Sequence, residues 1–221
     1  MCRTGAYPGT VIAERRRPKS GDGRIARGAA TRREILDHAA RVASVDGLTG
    51  LSLGRLATDL GLSKSAVFAH FSSTERLHLA VVEAAVDLFR ARVVEPALAV
   101  RPGLGRVEAL TDGWLVYSER RLFPGGCFFL HVGAEFDARP GPVRDALSTA
   151  RRNWLQLLAG TIRDAVQLGE LPPETDPAQV AFEVDAVAAA ANSAALLLDD
   201  PTAHERARRA IGARLGRPST G

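Results

Sequence analysis

Lys64 and Ser65 are the residues whose types and placing suggest recognition chemistry. Ser63 can N-cap a short helix running through His70. An ammonium and a hydroxyl in the first turn of such a helix can reach base edges, and Lys can donate to guanine O6 and N7. Ala66 is small enough for close approach or for a thymine methyl. His70 can hydrogen-bond a phosphate or cap locally, while Phe68 and Phe71 are expected to pack the local core. Cys127, His131 and Glu135 form a second set at i, i+4 and i+8, so one helical face can present all three. Three ligands on one helix cannot easily surround a tetrahedral ion. Gly125-Gly126 before Cys127 marks a helix start that can lower a thiol pKa. A metal or redox sensor and a buried structural cysteine are the readings, and the second is favoured. No metal or cofactor is expected.

The elements that place Lys64 and Ser65 are legible. Leu53, Leu56, Ala57 and Leu60 recur at helical spacing, Ser52 can cap that helix, and Gly61 suits a residue leaving a helix with positive φ. Two short helices joined by a tight glycine turn make a helix-turn-helix unit, whose second helix enters the major groove. Before it, Thr31 is expected to cap a helix from Arg32 to about Asp46, ended by Gly47. After it, Ser72 and Glu75 suggest a capping box for a helix over 75–94, kinked or ended by Pro96. Further helices are expected over 106–121, 127–136, 143–168, 177–198 and 202–215, with Pro177 in a first turn.

The 221 residues carry a net charge of +4, placed unevenly. Residues 1–33 hold nine Lys/Arg against two acids, so the excess sits in an arm. Such an arm suits phosphate or minor-groove contact; a solvated, unstructured leader accounts for the same composition. Disorder is expected over 1–28. The scarcity of β-branched runs and of period-two alternation points to an all-α fold. Two cysteines make no disulfide framework. The longest apolar stretch, Val184–Leu198, contains Asp185 and Asn192 and reads as a buried or interface helix, so no membrane span and a cytoplasmic protein are expected. None of the P-loop, H-E-x-x-H or C-x-x-C occurs, which disfavours an enzyme.

In combination, T-R-R-E-I-L-D-H-A-A, D-G-L-T-G-L-S-L, L-A-T-D-L-G-L-S, V-F-A-H-F and T-E-R-L resemble the TetR transcription factors over residues 31–90. G-G-C-F-F, E-F-D-A-R-P-G-P-V-R-D and Trp154 look like one branch of that family. After the basic arm (1–28) that composition sets apart, the resemblance implies a DNA-binding domain (29–90) and a helical effector-binding and dimerisation domain (91–221). It implies base reading by Lys64, Ser65 and Ala66, support from Gly54 and Arg55, and backbone contacts from Phe68, His70 and Thr74. Thr31 and Arg32 complete the DNA-binding set. Phe68 replaces the family's usual Tyr and Thr74 its usual Lys. Each phosphate left without its partner in this way should flatten the salt slope by about one.

The partners so implied are double-stranded operator DNA, an unidentified small-molecule effector and a second copy of the chain. The effector pocket is expected among Phe89, Trp114, Tyr117, Phe128 and His131. The small-residue stripe 186–198, with Trp154, Leu155 and Leu158, suggests a homodimer through Val143–Leu168 and Pro177–Leu198. The expected function is that of a ligand-responsive regulator, a repressor by the family's habit. A helical ligand- or partner-binding protein with weakened DNA binding is the alternative.

Overall fold

The computed structural model describes residues 20–217. Among them every regular element is helical: α1 (Ser20–Asp46), α2 (Leu53–Asp59), α3 (Lys64–Phe71), α4 (Thr74–Phe89), a π-helical turn (Arg90–Val94), α5 (Glu95–Leu98), α6 (Leu104–Glu119), α7 (Phe128–Phe136), α8 (Pro142–Gln167), α9 (Pro177–Leu197) and α10 (Ala203–Arg214). The fold is all-α, as expected.

Three local expectations need correction. The first helix starts at Ser20, so Thr31 lies inside it and caps nothing. Residues 20–28 are helical rather than disordered, while the rest of the expected arm, 1–19, lies outside the described residues. Ile-Ala-Arg-Gly-Ala-Ala over 25–30 contains no proline and is mostly good helix formers, so the helix continues through a side chain that could have capped it. Third, Ser73 rather than Ser72 caps α4, accepting from Arg76 N at 3.2 Å. Ser72 instead closes α3 in the left-handed region (φ 55°), so the Ser72–Glu75 box does not form.

Ile35, Leu36, Ala39, Ala40 and Ala43 form the buried stripe of α1, and Leu77, Val81, Val82 and Ala85 that of α4; the two helices pack together. Apolar positions at this spacing give each helix one core-facing side. Past Phe89, α4 loosens. Glu95 N–H bonds back five residues to Arg90 O, the widened ladder of a π turn, just before Pro96. Proline removes a donor and crowds the preceding turn, which rewinds to accommodate it. Helices α8 and α9 pack along each other, and α10 covers α9 and α6. By length and composition α9 is the one described helix apolar enough to cross a membrane. Here it packs against α8, α10 and α6, and its buried Asp185 pairs with Arg151.

Candidate DNA-reading surface and effector cavity

Both caps expected in the helix-turn-helix form. Ser52 Oγ accepts from Arg55 N at 3.0 Å, and Ser63 Oγ from Ala66 N at 3.1 Å. Gly61 turns the chain with φ 64°. Val67 and Phe71 bury one side of α3 against the core. Lys64, Ser65, Phe68 and Ala69, at i, i+1, i+4 and i+5, stand exposed on the other. Phe68 is therefore no core residue: it is 54% exposed beside Lys64. The local pattern V-F-A-H-F could not choose which phenylalanine turns inward. Ala69, absent from the expected set, shares this face. Ala66 and His70 are set apart from it, and the His70 ring lies 6.1 Å from that of Phe71.

Gly54 lies beneath the movable end of the exposed Lys64 side chain. A Cβ there would come within 2.8 Å of Lys64 Cε, the far end of a flexible side chain. Arg55 is exposed, but its guanidinium is engaged within the chain, donating to Asp46 Oδ2 at 2.6 Å and to Gly50 O at 3.2 Å. Arg32, half-buried, lies 5.3 Å over the Phe71 ring, and Thr31 beside it is likewise half-buried. Thr74 is exposed in the first turn of α4, whose leading amides have no intrahelical acceptor.

A cavity of about 340 Å³ opens between α4, α6, α7, α8 and α9. Phe89 and Trp114 line it, as expected, together with Phe129, Trp154, Leu157 and Cys127. Tyr117 and Phe128 do not. They are buried one layer behind, where Tyr117 packs edge-on to Phe89 at 5.4 Å and Phe128 to Phe129 at 5.4 Å. His131 is exposed on the far side of α7, in a separate groove facing α9. Trp154 and Leu158 correct the interface expectation: Leu158 is core, and Trp154 turns into the cavity, its indole donating to Asp185 Oδ1 at 3.1 Å. Arg151 reaches the other oxygen of Asp185. Burial raises the Asp185 pKa, against the pull of Arg151 and the hydrogen bonds from Trp154 and Arg151. Reading the sequence missed this pair because Arg151 and Asp185 lie on different helices; an acid inside an Ala/Val run was the available signal.

Cys127 N donates to Asn192 Oδ1 at 2.9 Å, which also accepts from Ser118 Oγ at 2.9 Å; Ser118 Oγ lies 3.0 Å from His204 Nε2. The Cys127 thiol is buried and its pKa is pushed up to about 11, opposite to what a reactive thiolate needs. Among the described residues no group of three or more His, Cys, Asp or Glu is placed to hold a metal ion. Glu135 has a different task. It accepts from Leu48 N at 2.7 Å, Thr49 N at 2.9 Å and the Thr49 hydroxyl, tying α7 to the loop between α1 and α2. Gly125 N adds a bond to Ser44 Oγ at 3.1 Å.

A helix-turn-helix whose second helix turns Lys64 and Ser65 outward, joined to a helical body that holds a cavity, is the architecture of a DNA-binding transcription regulator. The profile of bacterial regulatory proteins of the tetR family matches residues 35–81, and that of the tetracyclin repressor-like C-terminal domain matches 103–211. The chain belongs to the TetR family, whose members regulate transcription by binding DNA rather than by catalysis. It is similar to a TetR regulator from Chloroflexus aurantiacus J-10-FL, at 25% identity and TM-score 0.80 over 87% of this chain and 98% of that one. A putative regulator from Saccharomonospora viridis in complex with choline shares the fold at 22% identity and TM-score 0.73, over 85% of this chain and 96% of that one. AibR, in complex with isovaleryl coenzyme A and operator DNA, does so at 21% and 0.67, over 82% and 96%. No curated protein matches the chain.

Proposed function

We infer that this protein is a cytoplasmic, homodimeric repressor that reads its operator through α3 and is released by a small effector in the α4–α9 cavity. The exposed face of Lys64, Ser65, Phe68 and Ala69 carries the reading. Lys64 and Ser65 suit base edges, and Phe68 suits a thymine methyl better than a phosphate. Residues 29–90 act as the DNA-binding unit, and 91–221 as the effector and dimer unit. Two such units on one duplex engage half-sites about one helical turn apart.

Two elements support coupling of the cavity to DNA. Val86 and Phe89 line the cavity on α4, the helix that packs on α1. Phe129 and Leu130 line it on α7, whose Glu135 holds the loop leading into α2. An effector that favours one placement of α4 and α7 shifts the population toward it, by no more than its differential affinity for the two states. That relatives of the same fold are known with choline or with an acyl coenzyme A and operator DNA supports a ligand-holding body.

Salt-titrated binding to the DNA upstream of the protein's own gene, against a scrambled duplex, tests the reading. Preference for the native fragment is expected, with loss of about 1–3 kcal/mol in a Lys64→Ala, Ser65→Ala variant. Equal binding to both duplexes, unchanged in the variant, would remove α3 as the reader.

A further inference from the structure

Asp185 stands on a helix otherwise rich in Ala, Val and Leu, 6% exposed, at the floor of the cavity. A buried carboxylate destabilises a fold unless it is paired and hydrogen-bonded. Two side chains do this, and they differ in kind. Trp154 is fixed, its ring packed edge-on to Phe89 at 5.2 Å. Arg151 comes from the solvent side, with a side chain 43% exposed and no other hydrogen bond among the described residues. Its guanidinium can swing into water and recover hydration there; Asp185 cannot follow. What remains is a buried negative charge in a cavity lined by Phe89, Trp114, Phe129 and Trp154. Aromatic rings attract cations through their quadrupole.

We propose that the cavity selects an organic monocation with an apolar body, an amine or quaternary ammonium, which displaces Arg151 and takes its place on Asp185. This rests on the effector reading above and names the chemistry of that effector. An anionic ligand fits worse. It would share a low-dielectric space with the fixed Asp185 charge, leaving Arg151 to offset two anions. Arg90, the other cation at the rim, already faces Glu95 at 3.2 Å.

Both tryptophans of the chain, Trp114 and Trp154, line the cavity, so intrinsic fluorescence reports occupancy. The full-length protein at pH 8 is titrated with benzyltrimethylammonium, its neutral isostere neopentylbenzene, and phenylacetate. The cation is expected to bind about tenfold tighter than the isostere. Asp185→Asn should erase that preference. Arg151→Gln should strengthen cation binding by removing the internal competitor, and it carries the test should Asp185→Asn fail to fold. The proposal is overturned by equal or tighter binding of the neutral isostere, by tighter binding of phenylacetate, by no response to the cation, or by weaker cation binding in Arg151→Gln. Operator release measured with the same probes separates the two readings. Cation binding without release would count against the effector reading alone, and release by phenylacetate alone would count against the charge preference.

Discussion

Glu135 commits both carboxylate oxygens to a segment more than eighty residues away in sequence, accepting from Leu48 N, Thr49 N and the Thr49 hydroxyl. Partial burial pushes its pKa up, but these hydrogen bonds and Arg139 outweigh that, and the net value lies below the ordinary 4.5. A carboxylate with a depressed folded-state pKa contributes stability that is present above its unfolded pKa and lost as pH falls through the folded value. The α7 junction should therefore weaken as pH falls below about 4.5. Glu135→Gln places an amide donor against backbone donors and should lose about 1–3 kcal/mol at pH 7. Urea denaturation at pH 7 and pH 3.5 checks both statements: the difference between wild type and variant should shrink at the lower pH. An equal difference at both would mean that the carboxylate charge is not what holds the loop.

At the scale of elements, the close seat of the α6–α7 loop on α1 depends on Gly125. A Cβ there would lie 1.7 Å from Ser44 O and 2.4 Å from Ser44 C, both backbone atoms inside a helix that cannot yield. Gly125→Ala should cost about 3 kcal/mol or more. Gly133, mid-helix in α7 with nothing within 4 Å of its would-be Cβ, is the control. Gly133→Ala should stabilise by roughly 0.5–1 kcal/mol. Thermal denaturation of the pair reads this directly. The contrast also marks what a sequence can disclose. Caps at Ser52 and Ser63, the turn at Gly61 and the stripes of α1 and α4 are local, so period and residue type revealed them. The cavity is not local. Whether Tyr117 or Trp114, Phe128 or Phe129 faces inward depends on how α6 and α7 rotate against α4 and α8. The α1 start was missed because Thr31 looks like a cap wherever the preceding residues are taken for coil.

For the whole molecule, α9 leaves a stripe uncovered. Phe182, Ala186, Ala190, Ser193 and Leu197 recur along one side and are all exposed, Phe182 by 63% and Leu197 by 78%. The opposite side holds the buried Val184, Ala188 and Ala191 and packs into the body. Small residues between two large apolar ones let a second helix approach closely and then anchor it, which suits a self-complementary two-fold contact. Leu158 and Trp154 of α8 face inward, so the proposed dimer would rest on α9 more than the sequence alone suggested. Phe182→Glu sets two carboxylates against each other across such an axis and should shift sedimentation from dimer to monomer. The buried core, which Phe182 does not enter, should keep its melting temperature apart from any part that dimer formation supplied. Operator affinity should then fall by about 10²–10⁴, because the second half-site loses its intramolecular advantage. A variant that stayed dimeric with unchanged affinity would move the interface off this face, while a monomer with unchanged affinity would leave one recognition helix sufficient for the operator.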